Sequence, residues 1–298
     1  MSNKWRRQLP LIIMLLPAVI IVLIYQYGPM FGLVIAFQKF TPVRGFFKSP
    51  FVGWDNFIYV FSLPDFGRIL YNTVFIAIMK IIAGLVVPIT FAVLLNELIH
   101  EKFKRTVQTL VYLPHFLSWV LLGGILIDIL SPSQGIVNHL IQWLGFKPVF
   151  FLGNNGWFPY VIVGSDIWKD FGFSTIVYLA AITGINPTLY EAAVMDGAGR
   201  LRQTWHITLP GMAPVIVLLA TLSLGQILNA GFDQIFNLYS PITYESGDII
   251  DTRVYRLAFE DRQYSVATAV GLFKSVISFL LISSSYYLAH RFANYRIF

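Results

Sequence analysis

The chain has 298 residues, 56% hydrophobic and only 12% charged, with a formal net charge of +6; an ordinary soluble domain carries about 25% charged residues. These proportions exclude a disordered chain, a coiled coil and a disulfide scaffold. With 26 Phe, 15 Tyr and 7 Trp they also supply more apolar surface than one water-soluble core can hold. Cysteine is absent, which removes thiolate catalysis and cysteine-ligated metal, and the basic residues sit between apolar runs, as topology determinants do and a nucleic-acid face does not.

Crossing the hydrocarbon of a bilayer takes about 20 mostly apolar residues in a helix. In chain order, six segments qualify: 10–37, 71–98, 107–130, 159–182, 211–230 and 266–290. The first is longer than one span requires, lacks a small-residue cleavage site and reads as a retained anchor, kinked or broken at Pro17 and Pro29. Short segments place ten basic residues on one side (Lys4, Arg6, Arg7, Lys102, Lys104, Arg105, Arg200, Arg202, Arg291, Arg296), against eight on longer loops of the other. That bias puts both termini in the cytoplasm. The expected fold is an all-α polytopic membrane protein, one transmembrane domain over residues 1–298, with loops 38–70, 131–158 and 231–265 outside.

Between the fourth and fifth spans lies GINPTLYEAAVMDGAGRLRQTWHITLPGM, residues 184–212, far longer than a turn between antiparallel helices needs. Pro187 suits a first helical turn, and good helix formers run from Leu189 to Met195. Gly197 supplies a break, and a second helix from about Arg200 to Thr208 is expected to stop before Pro210. On its residues alone the segment is either an amphipathic hairpin lying on the inner leaflet or a docking element.

The order of those residues is more specific. Glu191-Ala192-Ala193, three residues, Gly197, nine residues, Ile207, one residue, Leu209-Pro210 matches the EAA signature of permease subunits in binding-protein-dependent ABC importers. PMFGLVIAFQKF, VGWDNF, AVLLNEL, YLPHFLSWV, IWKDFGFSTIVYLAAI and ATAVGLFKSV extend the likeness along nearly the whole chain. The sequence resembles the complex-oligosaccharide branch of the maltose-type permeases, including importers of alginate or rhamnogalacturonan fragments.

The resemblance implies a type I ABC importer permease fold with six transmembrane helices, in the bacterial inner (plasma) membrane. It implies one transmembrane subunit of an ATP-driven importer of oligosaccharides or polysaccharide fragments, uronate-containing ones included. The implied partners are a second permease in a heterodimer, two ATPase subunits, an extracytoplasmic solute-binding protein, membrane lipid and the cargo, with no nucleic acid. The chain has no GxxxxGK[ST] phosphate loop and is expected not to be an enzyme; ATP and magnesium belong to the partner ATPase, and this chain binds no cofactor. Glu191, Ala192, Ala193, Asp196, Gly197, Ile207, Leu209 and Pro210 are the implied coupling residues. The alanines would admit close backbone approach to the ATPase, and Glu191 would offer a carboxylate to one of its basic residues.

Lys80, Asp166, Lys169, Asp170 and Lys274 fall inside the expected spans, where charge is costly and faces a bundle interior or a wet cavity. At 1.5 Å per residue, Lys80, Asp166, Asp170 and Lys274 lie about 10–16 Å below the outer ends. Two readings stay open. Either these residues flank a translocation path, with Trp168, Gln226 and Asn229 as sugar contacts, or they form an ion-pair network locking spans two, four and six together. The five charges sum to +1, which would suit an acidic saccharide. His115 is expected to satisfy a carbonyl freed by Pro114, and the five His residues show no metal-ligand spacing. Rival functions are the same machinery with a smaller sugar, an ion-driven secondary transporter, for which no inverted repeat is visible, and an integral-membrane enzyme, for which no acid–base cluster is.

Overall fold

The computed structural model describes residues 3–293. Of the orientation residues, Arg296 and the side chains of Lys4, Arg6, Arg7 and Arg291 lie outside what is described. Helices dominate, and the only strand-like pairing among the described residues is an isolated antiparallel bridge, Gln38 to Phe51. This follows from the medium, because in hydrocarbon each backbone N–H and C=O must be satisfied within its own segment.

Helix α1, Asn3–Val22, runs through Pro10 and Pro17, so Pro17 does not break it. The helical form changes instead ahead of Pro29: a π-helical turn, Leu23–Tyr27, passes into a 3-10 helix, Gly28–Phe37. A proline ring clashes with the carbonyl four residues back, and a widened turn relieves that. Helices α2 (Phe66–Asn96), α3 (Glu101–Tyr112), α4 (Trp119–Ile129), α5 (Phe158–Thr183) and α6 (Pro187–Met195) follow. Then come α7 (Leu209–Leu224), α8 (Phe232–Leu238) and α9 (Tyr264–Ala293). Among the described residues four helices are long and apolar enough to cross a membrane, and the number is six if each of two bent helix pairs is one span.

The third expected span, 107–130, is not one helix. After α3 comes a 3-10 turn with Pro114 in its first positions, then extended Leu117, then Ser118, whose hydroxyl accepts from the Leu121 N–H and caps α4. The two parts are bent by 106°. Proline and a serine N-cap are helix-stop and helix-start signals that hydropathy averaging passes over. The fifth span also departs from expectation. Its helix begins at Arg200, passes Pro210 without stopping and ends at Leu224, six residues short of 230. A π-helical turn at Thr204–Thr208 carries it into Pro210, again by widening the turn where the ring would clash.

The chain folds into two compact units. The first joins Met1–Phe66 to Val254–Phe273. Phe40 N donates to Ser265 Oγ at 2.9 Å, Asn56 Nδ2 donates to Ala36 O at 2.8 Å and Gln38 O at 3.0 Å, and Phe61, Phe66 and Phe273 pack edge to face. The second, Gly67–Arg253 with Lys274–Phe298, carries the two clusters of interest. Ile76, Phe158, Ile162, Ala230, Ile235 and Ile249 form one fully buried core between α2, α5 and α8. Ala92, Tyr178, Ile182 and Met212 form another, which staples α2, α5 and α7 where the 184–212 loop departs.

Candidate functional site

The loop after α5 is a rigidly capped helix held out from the bundle. Asn186 caps α6 by accepting from the Thr188 N–H at 3.1 Å, and Pro187 takes the first turn, where its missing N–H costs nothing. At the other end Gly197 adopts φ 72°. Gly197 N–H bonds to Val194 O at 3.0 Å and Ala198 N–H to Ala193 O at 2.8 Å, the paired bonds of a Schellman cap. Tyr190 and Thr208 hydroxyls meet at 3.0 Å, and Gln203 Nε2 donates to Ala198 O at 2.8 Å, which fixes α6 against the Arg200 turn. Glu191, Ala192 and Asp196 are exposed and Ala193 is half-buried, while Ile207, Leu209 and Pro210 continue into α7. Exposed Leu189, Val194, Met195, Leu201 and Trp205 give the loop an apolar surface. Arg200 reaches Glu97, at the end of α2, at 3.4 Å.

The charges inside the spans make their direct contacts in three groups. Lys80 on α2 donates to Asp166 Oδ1 on α5 at 2.9 Å, to Ala230 O at 2.8 Å and to Gln234 Oε1 on α8. An ammonium has three N–H groups, and all three are taken. Gln234 is fully buried and donates in turn to Ile162 O at 2.7 Å and Ser165 Oγ at 2.8 Å. Lys169 donates to His115 O at 2.7 Å and lies 5.7 Å from the Trp119 ring centre. Asp170 Oδ1 meets His115 Nδ1 at 2.8 Å. That contact corrects the expected role of His115, whose ring bonds a carboxylate and stacks on Phe173 at 4.1 Å. Lys274 on α9 pairs with Asp251 Oδ1 at 2.5 Å and Asn229 Oδ1 at 3.0 Å.

An ion pair therefore joins spans two and four, but Lys274 belongs to Asp251, in a segment assigned from sequence to an outside loop. Counting Asp251, three lysines face three aspartates, and the charge sum of +1 that favoured an acidic cargo vanishes. A cavity of about 330 Å³ opens between α2, α5 and the end of α7. Lys80, Asp166, Asp170, Gln226 and Asn229 line it; Ser174 and Ser223 join them without having been anticipated. Trp168 does not. It sits in a separate apolar groove with Leu126, Leu130 and Tyr160. Lys169 and Lys274 are also absent from the cavity wall. Gln234, Asp251 and His115 were missed as partners because each meets its charge across long sequence separations.

A family model for the inner membrane component of binding-protein-dependent transport systems matches residues 84–294. The chain belongs to that family. It is a multi-pass inner-membrane transport permease and not an enzyme, and permeases of this family carry no cofactor of their own. It is 42% identical over 295 residues to the polygalacturonan/rhamnogalacturonan transport system permease protein YteP of Bacillus subtilis, covering 99% of this chain and 92% of that one. To protein LplB of the same organism it is 40% identical over 290 residues, covering 97% and 90%. A crystal structure of a bacterial ABC transporter that imports the acidic polysaccharide alginate superposes with a TM-score of 0.90 at 40% identity, over 97% of this chain and 98% of that one. A bacterial alginate ABC transporter in complex with alginate pentasaccharide-bound periplasmic protein gives 0.89 at 39% identity, over 97% and 96%. The all-α fold is thus that of an ABC importer permease.

Proposed function

We propose that this chain is one permease subunit of an ATP-driven importer of oligosaccharides or polysaccharide fragments. The cargo class rests on the relatives named for rhamnogalacturonan and alginate; uronate content rests on them alone, since the span charges cancel. The observation that carries the coupling role is α6, a short helix capped at both ends and presenting Glu191 and Ala192 outward between two span helices. In this reading residues 1–298 form a single transmembrane domain with both termini and the 184–210 loop in the cytoplasm, as the basic bias supports. Of two ATPase subunits holding ATP and magnesium, one receives α6 in a cleft, and a second permease completes the path. A solute-binding protein delivers cargo from the opposite side.

The test uses Ala192→Cys in this cysteine-free chain, with cross-linking in native membranes and mass spectrometry of what is captured. The expected product is a cytoplasmic ATPase, its yield changed by ATP and lost when Gly197 is replaced by a bulky residue. Capture of lipid alone by a folded, transporting chain would make the loop an interfacial hairpin and overturn the reading.

A further inference from the structure

The loop after the first span closes on the end of that span. The apolar helix Gln8–Phe37 stops where Gln38 pairs with Phe51. Lys39 N–H bonds to Pro50 O at 2.9 Å and Val52 N–H to Phe37 O at 2.8 Å. Phe51, Trp54 and Phe57 gather around the Phe37 ring, and Phe51 and Trp54 are exposed. Exposed aromatic rings at the end of a span mark the level of the lipid headgroups. The tip at Arg44 follows Gln38 by six residues, a reach of at most about 20 Å from that level. The loop is a built structure: Ser49 Oγ donates to Gly45 O at 2.7 Å, Gln38 Nε2 donates to Phe46 O at 3.0 Å, and Gly45 turns the chain at φ 66°. It nevertheless leaves Val43 and Phe47 fully exposed. Lys39, Arg44 and Lys48 are exposed beside them, and among the described residues none of the three forms an ion pair. No acidic residue occurs between Gln38 and Trp54.

Fully exposed Val and Phe side chains between unpaired cations suit the edge of a bilayer. Apolar tips enter the boundary between headgroups and acyl chains, while Lys and Arg keep their charges at the phosphates above them. A protein partner would have to bring both an apolar pocket and acidic groups; the membrane already lies at the base of the loop and supplies both. We propose that the 38–51 loop docks on the leaflet at that end of the span, with Val43 and Phe47 inserted and Lys39, Arg44 and Lys48 bound to the phosphates of anionic phospholipids. At about fivefold per basic residue near an anionic surface, the three together favour the docked loop by roughly a hundredfold. The inference needs only the membrane location of the chain, so it stands apart from the cargo and coupling readings.

The test attaches a nitroxide to Phe47→Cys in the complete importer, with Val43→Cys as an independent second site and the signal of the unsubstituted importer subtracted. The complex is placed in nanodiscs of phosphatidylcholine alone or with phosphatidylglycerol. Collision with oxygen, which concentrates in hydrocarbon, is compared with collision with a water-soluble nickel chelate. In phosphatidylglycerol discs the oxygen rate is expected to exceed the chelate rate several-fold at both sites. That excess should fall in phosphatidylcholine alone, at high salt, and in the Arg44→Glu, Lys48→Glu double variant. The comparison of the two lipids needs no charge variant, so the test stands even where the double variant does not assemble. Chelate collision dominating in both lipids would place the loop in water and overturn the proposal. So would an oxygen excess indifferent to lipid charge, which would leave the three cations without a role. A label shielded from both probes until the solute-binding protein is removed would make the loop a protein-docking surface, which also overturns it.

Discussion

Replacing Lys80 by Met tests whether the buried cation holds the bundle together or serves the cargo. The substitution removes three hydrogen bonds at once and keeps the volume of the side chain. Gln234 Oε1 and Ala230 O, both in fully buried residues, lose their donor; an orphaned buried polar group costs about 1–3 kcal/mol. Asp166 keeps its charge without its partner, but its side chain is 25% exposed on the cavity, where water reaches it and limits the penalty. The total is about 3–5 kcal/mol, the range for breaking a buried pair from one side. At roughly 2 °C per kcal/mol for a long chain, the melting temperature of the purified complex should fall by about 6–10 °C. Adding Asp166→Leu to Lys80→Met removes the stranded charge and should recover a good part of that loss. Thermal unfolding followed by near-UV circular dichroism gives both numbers. A fall under about 2 °C, or strict additivity in the double variant, would show that the pair is not structural.

Other substitutions probe separate parts of the same unit. Gly172→Val should abolish accumulation of folded protein, because even a Cβ there would lie 2.2 Å from Val111 O, a backbone atom that cannot swing aside; yield after membrane extraction reads this. Gly197→Val places a β-branched residue at φ 72°, at a cost of about 1–2 kcal/mol, and should abolish cargo-stimulated ATP hydrolysis while the spans stay folded. Lys274→Met should destabilise by about 3–5 kcal/mol, and Lys274→Met with Asp251→Leu by clearly less, in the same melting assay. Met212→Ala opens a void at a fully buried position, worth about 2–5 kcal/mol, and should lower transport per ATP hydrolysed by loosening α7 from α5.

Helix existence was legible because hydropathy over about 20 residues reports it directly: Phe66–Asn96, Phe158–Thr183 and Tyr264–Ala293 all contain or closely match their expected spans. The turn at Gly197 was legible because its chemistry is local. What failed were a hydropathy window that averaged over punctuation at Pro114–Ser118, a stop expected before Pro210 that a π-helical turn carries the helix through, and pairings set by tertiary structure. Asp166, Lys169 and Asp170 stand at i, i+3 and i+4, a spacing that brings residues near one helix face, yet the consecutive Lys169 and Asp170 point about 100° apart at 3.6 residues per turn. Asp166 and Asp170 therefore share the cavity while Lys169 turns to the bend at His115. Nothing in the chain near Lys274 marks Asp251 as its partner, and no period marks Gln234 as the residue that, with Asp166 and the Ala230 carbonyl, completes the coordination of Lys80.

The positions of those residues show how the 184–212 loop, in the role proposed for it, would act on a cavity distant from it. The loop is a covalent continuation of both cavity walls. Upstream, α5 carries Asp166, Asp170 and Ser174; downstream, α7 carries Ser223 and leads into Gln226 and Asn229. Asp170 precedes Gly184 by 14 residues, and Ser223 follows Leu209 by 14, so each wall stands about 21 Å along a helix from the loop. Between loop and cavity the core of Ala92, Tyr178, Ile182 and Met212 ties the two helices to each other and to α2. Asp170 then touches both the cavity and, through His115, the 106° bend of the third span. In the proposed coupling, a force on α6 would move packed helices whose far parts line the cavity, with no chain of side chains needed to carry it. The same geometry explains why the buried cation is fully coordinated. On the proposed coupling, a wall that moves as a body is one whose lysine is held by the frame on all three of its N–H groups.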